Sequence, residues 1–103
     1  MITILETNQD GVNELISAGK RVLVEVYFEN CGPCKMLKLV LADVAKTAEN
    51  AEIACISMTE NPEFAETYGI TTAPTLLFFE NGELKERFMG IQSKFTIQNL
   101  LAG

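Results

Sequence analysis

The amino-acid sequence predicts an α/β fold: a central mixed five-stranded sheet flanked by four helices, in the chain order βαβαβαββα. Three observations lead there. Val22-Leu23-Val24-Glu25-Val26-Tyr27-Phe28 is mostly apolar at both parities, the pattern of a strand covered on both faces. A helix-period stretch follows, then a second buried run from Ala51 to Met58, and strand–helix–strand units give a parallel core. Asn81-Gly82 is a two-residue hairpin signal that adds an antiparallel edge.

Each element has its local reason. Ile2 to Glu6 reads as a short first strand. Asn8 or Asp10 caps a helix carrying Val12, Leu15 and Ile16, and Gly19 is its stop. After the Val22–Phe28 strand, Leu37, Val40, Leu41, Val44, Ala45 and Ala48 share one face of a long helix, with Lys35, Lys38 and Lys46 off that face. Asn61-Pro62 opens a short helix, Asn61 as N-cap and Pro62 at the first helical position, ending near Tyr68-Gly69. Thr75 to Phe79 is a strand, with Phe78-Phe79 in the core, and Leu84 to Met89 pairs back against it. Ser93 caps a final helix whose apolar face holds Ile97, Leu100 and Leu101.

At 103 residues the chain is expected to form one domain, residues 1–103, large enough for one self-supporting core. Hydrophobic residues at 48% exclude disorder. Eight Lys and Arg against fourteen Asp and Glu leave a net charge of −6, which argues against nucleic-acid binding. The acidic excess reads as a solvated surface, with steering toward a basic partner face as the alternative. The run Leu76-Leu77-Phe78-Phe79 ends at Glu80, far short of the ~20 residues that span a bilayer, so no membrane partner is expected. The first residues lack the cationic and apolar regions of a secretory leader, and a cytoplasmic location is expected. There disulfides are transient or catalytic rather than structural. Three cysteines leave at least one outside intrachain pairing, and the chain has no His, the usual acid–base residue and metal ligand.

Cys31-Gly32-Pro33-Cys34 lies where the central strand ends and the long helix begins. Pro33 suits the first helical turn, where its missing N–H costs nothing. Cys31 then sits at the helix N-terminus, whose free N–H groups and dipole favour thiolate, the form that attacks disulfides. Cys34, three residues on, lies on the same side and deeper. Cys31 is therefore assigned as the attacker and Cys34 as the thiol that resolves the mixed disulfide. The plain alternatives are a structural bridge or half a zinc site. Zinc wants four ligands, and the chain offers only Cys55 besides; no metal site is expected.

With Lys35-Met36 after that motif, Val22 to Phe28 before it, and Ala73-Pro74-Thr75, Asn81-Gly82-Glu83 and Gly90 beyond, nearly the whole chain resembles the thioredoxin family. The resemblance implies the thioredoxin fold and a dithiol/disulfide oxidoreductase that reduces client proteins and is recharged by a thioredoxin reductase. It implies no bound cofactor, because the Cys31–Cys34 disulfide is the redox group, and a monomer is expected. By position it makes Cys31 the nucleophile and Cys34 the resolving thiol. From sequence alone Pro74 reads as a trans turn residue; the resemblance implies a cis-proline packed beside the active disulfide. It also implies that the Ala73 backbone pairs with an extended client and that Gly90 leaves room for it.

The departures carry information too. Asn30 stands where the family has Trp before the first active cysteine; the other usual Trp is Tyr27, and the chain has no Trp. The client-facing rim loses apolar surface there. Glu25 matches the family's buried Asp and, once desolvated, suits proton exchange with Cys34; alternatively its longer side chain reaches water or a lysine such as Lys38. Cys55 replaces a strand Lys near that acid and reads as a small buried apolar residue, with a regulatory or dimer-forming thiol as the alternative. Leu39 replaces a helix-kinking Pro, so the helix is expected to be straighter. A divergent member serving one dedicated reductase or client is a narrower possibility. A noncatalytic interaction module is opposed by the intact cysteine pair. An iron–sulfur cluster shared by two chains would colour the protein.

Overall fold

Apolar runs too short for helices form the sheet and the amphipathic stretches between them cover it. In the computed structural model, which describes residues 1–102, the order is β1 (Ile4–Glu6), α1 (Gln9–Ser17), β2 (Val22–Tyr27), α2 (Gly32–Ala45), β3 (Glu52–Ser57), α3 (Pro62–Thr67), β4 (Thr75–Glu80), β5 (Glu83–Met89) and α4 (Lys94–Ala102). The expected domain limit at Gly103 lies outside the described residues. The sheet order is β1-β3-β2-β4-β5. Strands β1, β3 and β2 are parallel, whereas β4 runs antiparallel to both β2 and β5.

The both-parity pattern of β2 has its cause in this order. Leu23 faces the layer of α2 and α4, with Leu37, Leu41, Ile53, Leu76 and Ile97. Val22, Val24 and Val26 face the layer of α1 and α3, with Val12, Ile56, Phe64 and Phe79. Each such side chain stabilises the fold by about 1.5–3 kcal/mol through its burial. The edges are guarded differently. β1 is only three residues long, and β5 is exposed along most of its length but carries charges at Glu83, Lys85, Glu86 and Arg87, both devices that discourage edge pairing.

The local signals act largely as expected. The Asn8 side chain accepts from the Gly11 N–H at 2.9 Å to cap α1, and Gly19 leaves it at φ +75°. Asn81 and Gly82 both take positive φ, the hairpin conformation their residue types favour. Ser93 Oγ accepts from the Thr96 N–H at 3.1 Å at the start of α4. Asn61 precedes α3 but its side chain does not cap it. Its Oδ1 accepts from the Gln9 N–H at 2.9 Å and its Nδ2 donates to the Ser57 carbonyl at 2.8 Å, so a tertiary contact outcompetes the local one. Helix α2 runs unbroken past Leu39.

Candidate active site

β2 delivers the chain to its C-terminal end, where Phe28, Glu29 and Asn30 turn it into α2. The Ser57 hydroxyl donates to Glu29 Oε2 at 2.7 Å, tying this turn to β3 and holding the exposed Glu29 carboxyl below its usual range. Asn30 has φ +56°, the left-handed region that Asn tolerates better than other side-chain-bearing residues. The family resemblance shows the loss of Trp at this position but not the backbone that favours Asn.

Cys31 is the N-cap of α2, with extended backbone, and Pro33 occupies the first turn. Cys31 Sγ accepts a hydrogen bond from the Cys34 N–H at 3.2 Å. The sulfur thus meets one of the free N–H groups that the first turn of a helix presents. Cys31 and Cys34 form a disulfide, Cα–Cα 5.2 Å. Cys34 is 4% exposed and Cys31 half-buried, so the outer sulfur is Cys31.

Two further segments leave the sheet at the same end. Val26 pairs with Thr75, which puts the Ala73–Pro74 turn beside the end of β2. The Ala73–Pro74 peptide is cis. Thr75 also pairs with Met89, and the Gly90 N–H donates to the Pro74 carbonyl at 2.8 Å. Gly90 has φ +84°, and a Cβ built there meets nothing within 4 Å, so both its backbone and the open space above it suit glycine. The loops carrying Asn30, Cys31, Ala73, Pro74 and Gly90 therefore emerge together, while Glu25 lies inside the sheet.

Glu25 is fully buried, and neither carboxyl oxygen has a hydrogen-bond partner. It reaches neither the surface nor Lys38, which pairs instead with Glu6 at 2.5 Å. Burial is the main influence on its carboxyl and pushes it above the ordinary range. The Cys55 thiol, its register partner on β3, lies short of hydrogen-bond geometry with it but opposes that rise, as does the positive charge of Lys38. Cys55 is itself fully buried, and desolvation with the neighbouring Glu25 drives its thiol far upward. A thiol that neither ionises nor meets solvent is inert. Reduced protein treated with iodoacetamide at pH 8 without denaturant should leave Cys55 unmodified, and denaturant should expose it. Modification of Cys55 at the rate of an exposed thiol would contradict its burial.

Beside Cys34 opens a cleft of about 150 Å³ whose walls include Tyr27, Phe28, Asn30 and Lys38. Among the described residues no group of three or more Cys, Asp or Glu is arranged to hold a metal ion.

Known proteins resemble this chain in sequence and fold. A family model described as Thioredoxin matches residues 3–103. The thioredoxin of Rickettsia prowazekii is 34% identical over 89 residues, 85% of each chain. The thioredoxin of Chlamydia pneumoniae is 34% identical over 101 residues, 98% of this chain and 96% of its own. A solved mutant thioredoxin from Halobacterium salinarum superposes with a TM-score of 0.86 at 32% identity, covering 95% of this chain and 87% of the other.

Proposed function

The chain belongs to the thioredoxin family and is a thiol–disulfide oxidoreductase that reduces protein disulfides, and from that premise we propose how its residues divide the reaction. Cys31 thiolate attacks a client disulfide; a Cys31–client bond forms, the client's own bond breaks, and one client thiol leaves. Cys34 then gives its proton to Glu25 and attacks Cys31 Sγ. The Cys31–Cys34 bond forms, the second client thiolate leaves and takes up a proton, and the client has gained the two electrons that the protein dithiol has lost. The carrying observation is the asymmetry of the pair: Cys31 at the helix terminus, receiving an N–H hydrogen bond, and Cys34 buried one turn in.

The backbone of Ala73 pairs with an extended client segment, Pro74 borders it, and the open face of Gly90 accommodates it; their emergence at one end of the sheet supports this role. The electron donor is a thioredoxin reductase, the working form is a cytoplasmic monomer, and the Cys31–Cys34 disulfide is the redox group, without a bound cofactor. Turnover of a peptide disulfide with a panel of thioredoxin reductases tests the donor. At least one should sustain it. Failure of all of them, while chemically reduced protein still cleaves the peptide, would exclude that donor class.

Asn30 sets how broadly the site accepts clients. Asn30→Trp adds apolar rim, and roughly 100 Å² of extra buried area is an upper limit of about 2.5 kcal/mol. Ordering losses bring the expected gain to ~1 kcal/mol, roughly fivefold in kcat/KM on generic protein disulfides. The left-handed backbone at Asn30 adds a cost the rim does not: a Trp there destabilises the fold by about 1 kcal/mol, equally with and without client. A small aromatic disulfide, which never touches the rim, should show little change. Equal changes on both substrates would mean that Asn30 tunes the sulfur instead. A gain on generic clients with a loss on the native partner would favour a dedicated-partner role.

A further inference from the structure

On the sheet face covered by α2 and α4, register places Glu6 beside Cys55, Cys55 beside Glu25, and Glu25 beside Leu76. The parity is fixed by their neighbours: Ile4, Leu23, Ile53 and Leu76 all pack in the α2–α4 layer. Two carboxyls thus flank one buried thiol in a single row. Above them α2 brings Cys34 and, four residues on, Lys38 on the same side of the helix. Lys38 Nζ is held by Glu6 Oε1 at 2.5 Å and lies 4.5 Å from the centre of the Tyr27 ring, while the Tyr27 hydroxyl donates to Glu6 Oε2 at 3.3 Å. Lys38 and Cys34 line the same cleft. Three elements therefore fix one ammonium group next to the reacting thiol and above the carboxyl row.

We propose that Lys38 is a positioning residue for the resolution step: anchored by Glu6 and Tyr27, its charge favours the carboxylate form of the buried Glu25 and so readies it to accept the Cys34 proton. The proposal rests on Glu25 being that acceptor. The groups acting on Glu25 are Cys55 from β3, Lys38 from α2 and Glu6 from β1, and the facing residue of β4 is the apolar Leu76. Burial pushes the carboxyl up, Lys38 draws it down, and Glu6 pushes it up. Loss of Lys38 both removes the cation and leaves Glu6 unopposed, so the two effects have the same sign. The Lys38 ammonium is held above its own ordinary range chiefly by Glu6, despite partial desolvation, and stays charged wherever Glu25 titrates.

Reduced protein mixed with 5,5′-dithiobis(2-nitrobenzoate) releases one chromophore when Cys31 attacks and a second when Cys34 resolves. The second phase, followed from pH 5 to 9, reads the acceptor directly, because the nitrobenzoate thiolate leaves without needing a proton. Lys38→Met should move the acid limb of that phase up by about one pH unit and slow it up to ~tenfold on the limb. The first phase should keep its profile, and Lys38→Arg should restore the wild-type limb. In a Glu25→Gln background, which lacks the limb, Lys38→Met should add nothing. If Glu25→Gln leaves the limb in place, Glu25 is not the acceptor and both readings fall. If Glu25→Gln removes the limb but Lys38→Met leaves it unmoved, or slows resolution equally in both backgrounds, the role of Lys38 is refuted while that of Glu25 stands.

Discussion

Cys31→Ser should reduce the rate of peptide-disulfide reduction by at least ~10³-fold, and Cys34→Ser should stop turnover while leaving the first attack within a fewfold of wild type. The two losses look alike in a steady-state assay and differ in what accumulates. Without Cys31 no exposed thiol remains, because Cys34 is 4% exposed and Cys55 fully buried. Without the Cys34 side chain, Cys31 keeps its place at the N-terminus of α2 and keeps the hydrogen bond from residue 34, which is a backbone N–H. Its thiolate is still favoured, still attacks, and then has no partner to release it. A stable mixed disulfide should form on Cys34→Ser, visible as a mass increase equal to one client half. Accumulation on Cys31→Ser instead, or on neither variant, would reverse or remove the assigned roles.

Glu25→Met should stabilise the protein and impair it at once. A fully buried carboxyl with no hydrogen-bond partner is costly when charged. An unbranched apolar side chain relieves that cost by about 2 kcal/mol near pH 8, roughly 10 °C in Tm for a domain of this size. The pH dependence has a definite sign. Burial holds the Glu25 carboxyl above its ordinary value of 4.5, so the folded state keeps a proton that the unfolded chain has lost. This contribution to stability is fully present below pH 4.5 and is lost as pH rises through the folded-state value. The advantage of Glu25→Met should therefore be small in acid and grow with pH. With no Trp in the chain, far-UV circular dichroism is the appropriate probe of unfolding. The same substitution should slow resolution about a hundredfold at neutral pH by removing the proposed proton acceptor. A difference in stability that does not vary with pH would show that the carboxyl does not titrate differently on folding.

What the sequence discloses here depends on whether the cause is local. The central position of β2 is readable because burial on both faces leaves both parities apolar, and the start of α2 is readable because Pro33 and the cysteine spacing act within one turn. The hairpin at Asn81-Gly82 is equally local. The register between β2 and β3 is not, since two near-continuous apolar strands pair almost as well one step along. Hence Glu25 and Cys55 are each visible as a residue inside an apolar run, but only the family resemblance, not the pattern, puts them near one another. Lys38 is legible as a charge off the apolar face and as a lysine within reach of Glu25, but its actual tie, to Glu6, spans 32 residues. The side chain of Asn61 and the left-handed turn at Asn30 belong to the same class, set by tertiary contacts and loop closure rather than by the flanking sequence.

The division of roles between the two active-site cysteines is open to one direct measurement on the wild-type chain. Reduced protein is exposed to limiting iodoacetamide for short times between pH 5 and 9, and the modified cysteine is identified by peptide mass mapping. Cys31 should carry nearly all of the label, with a titration midpoint below the ~8.5 of a free thiol, and Cys34 should lag far behind at every pH. Preferential labelling of Cys34, or a Cys31 midpoint at or above that of a free thiol, would contradict a nucleophile made by the N-terminus of α2.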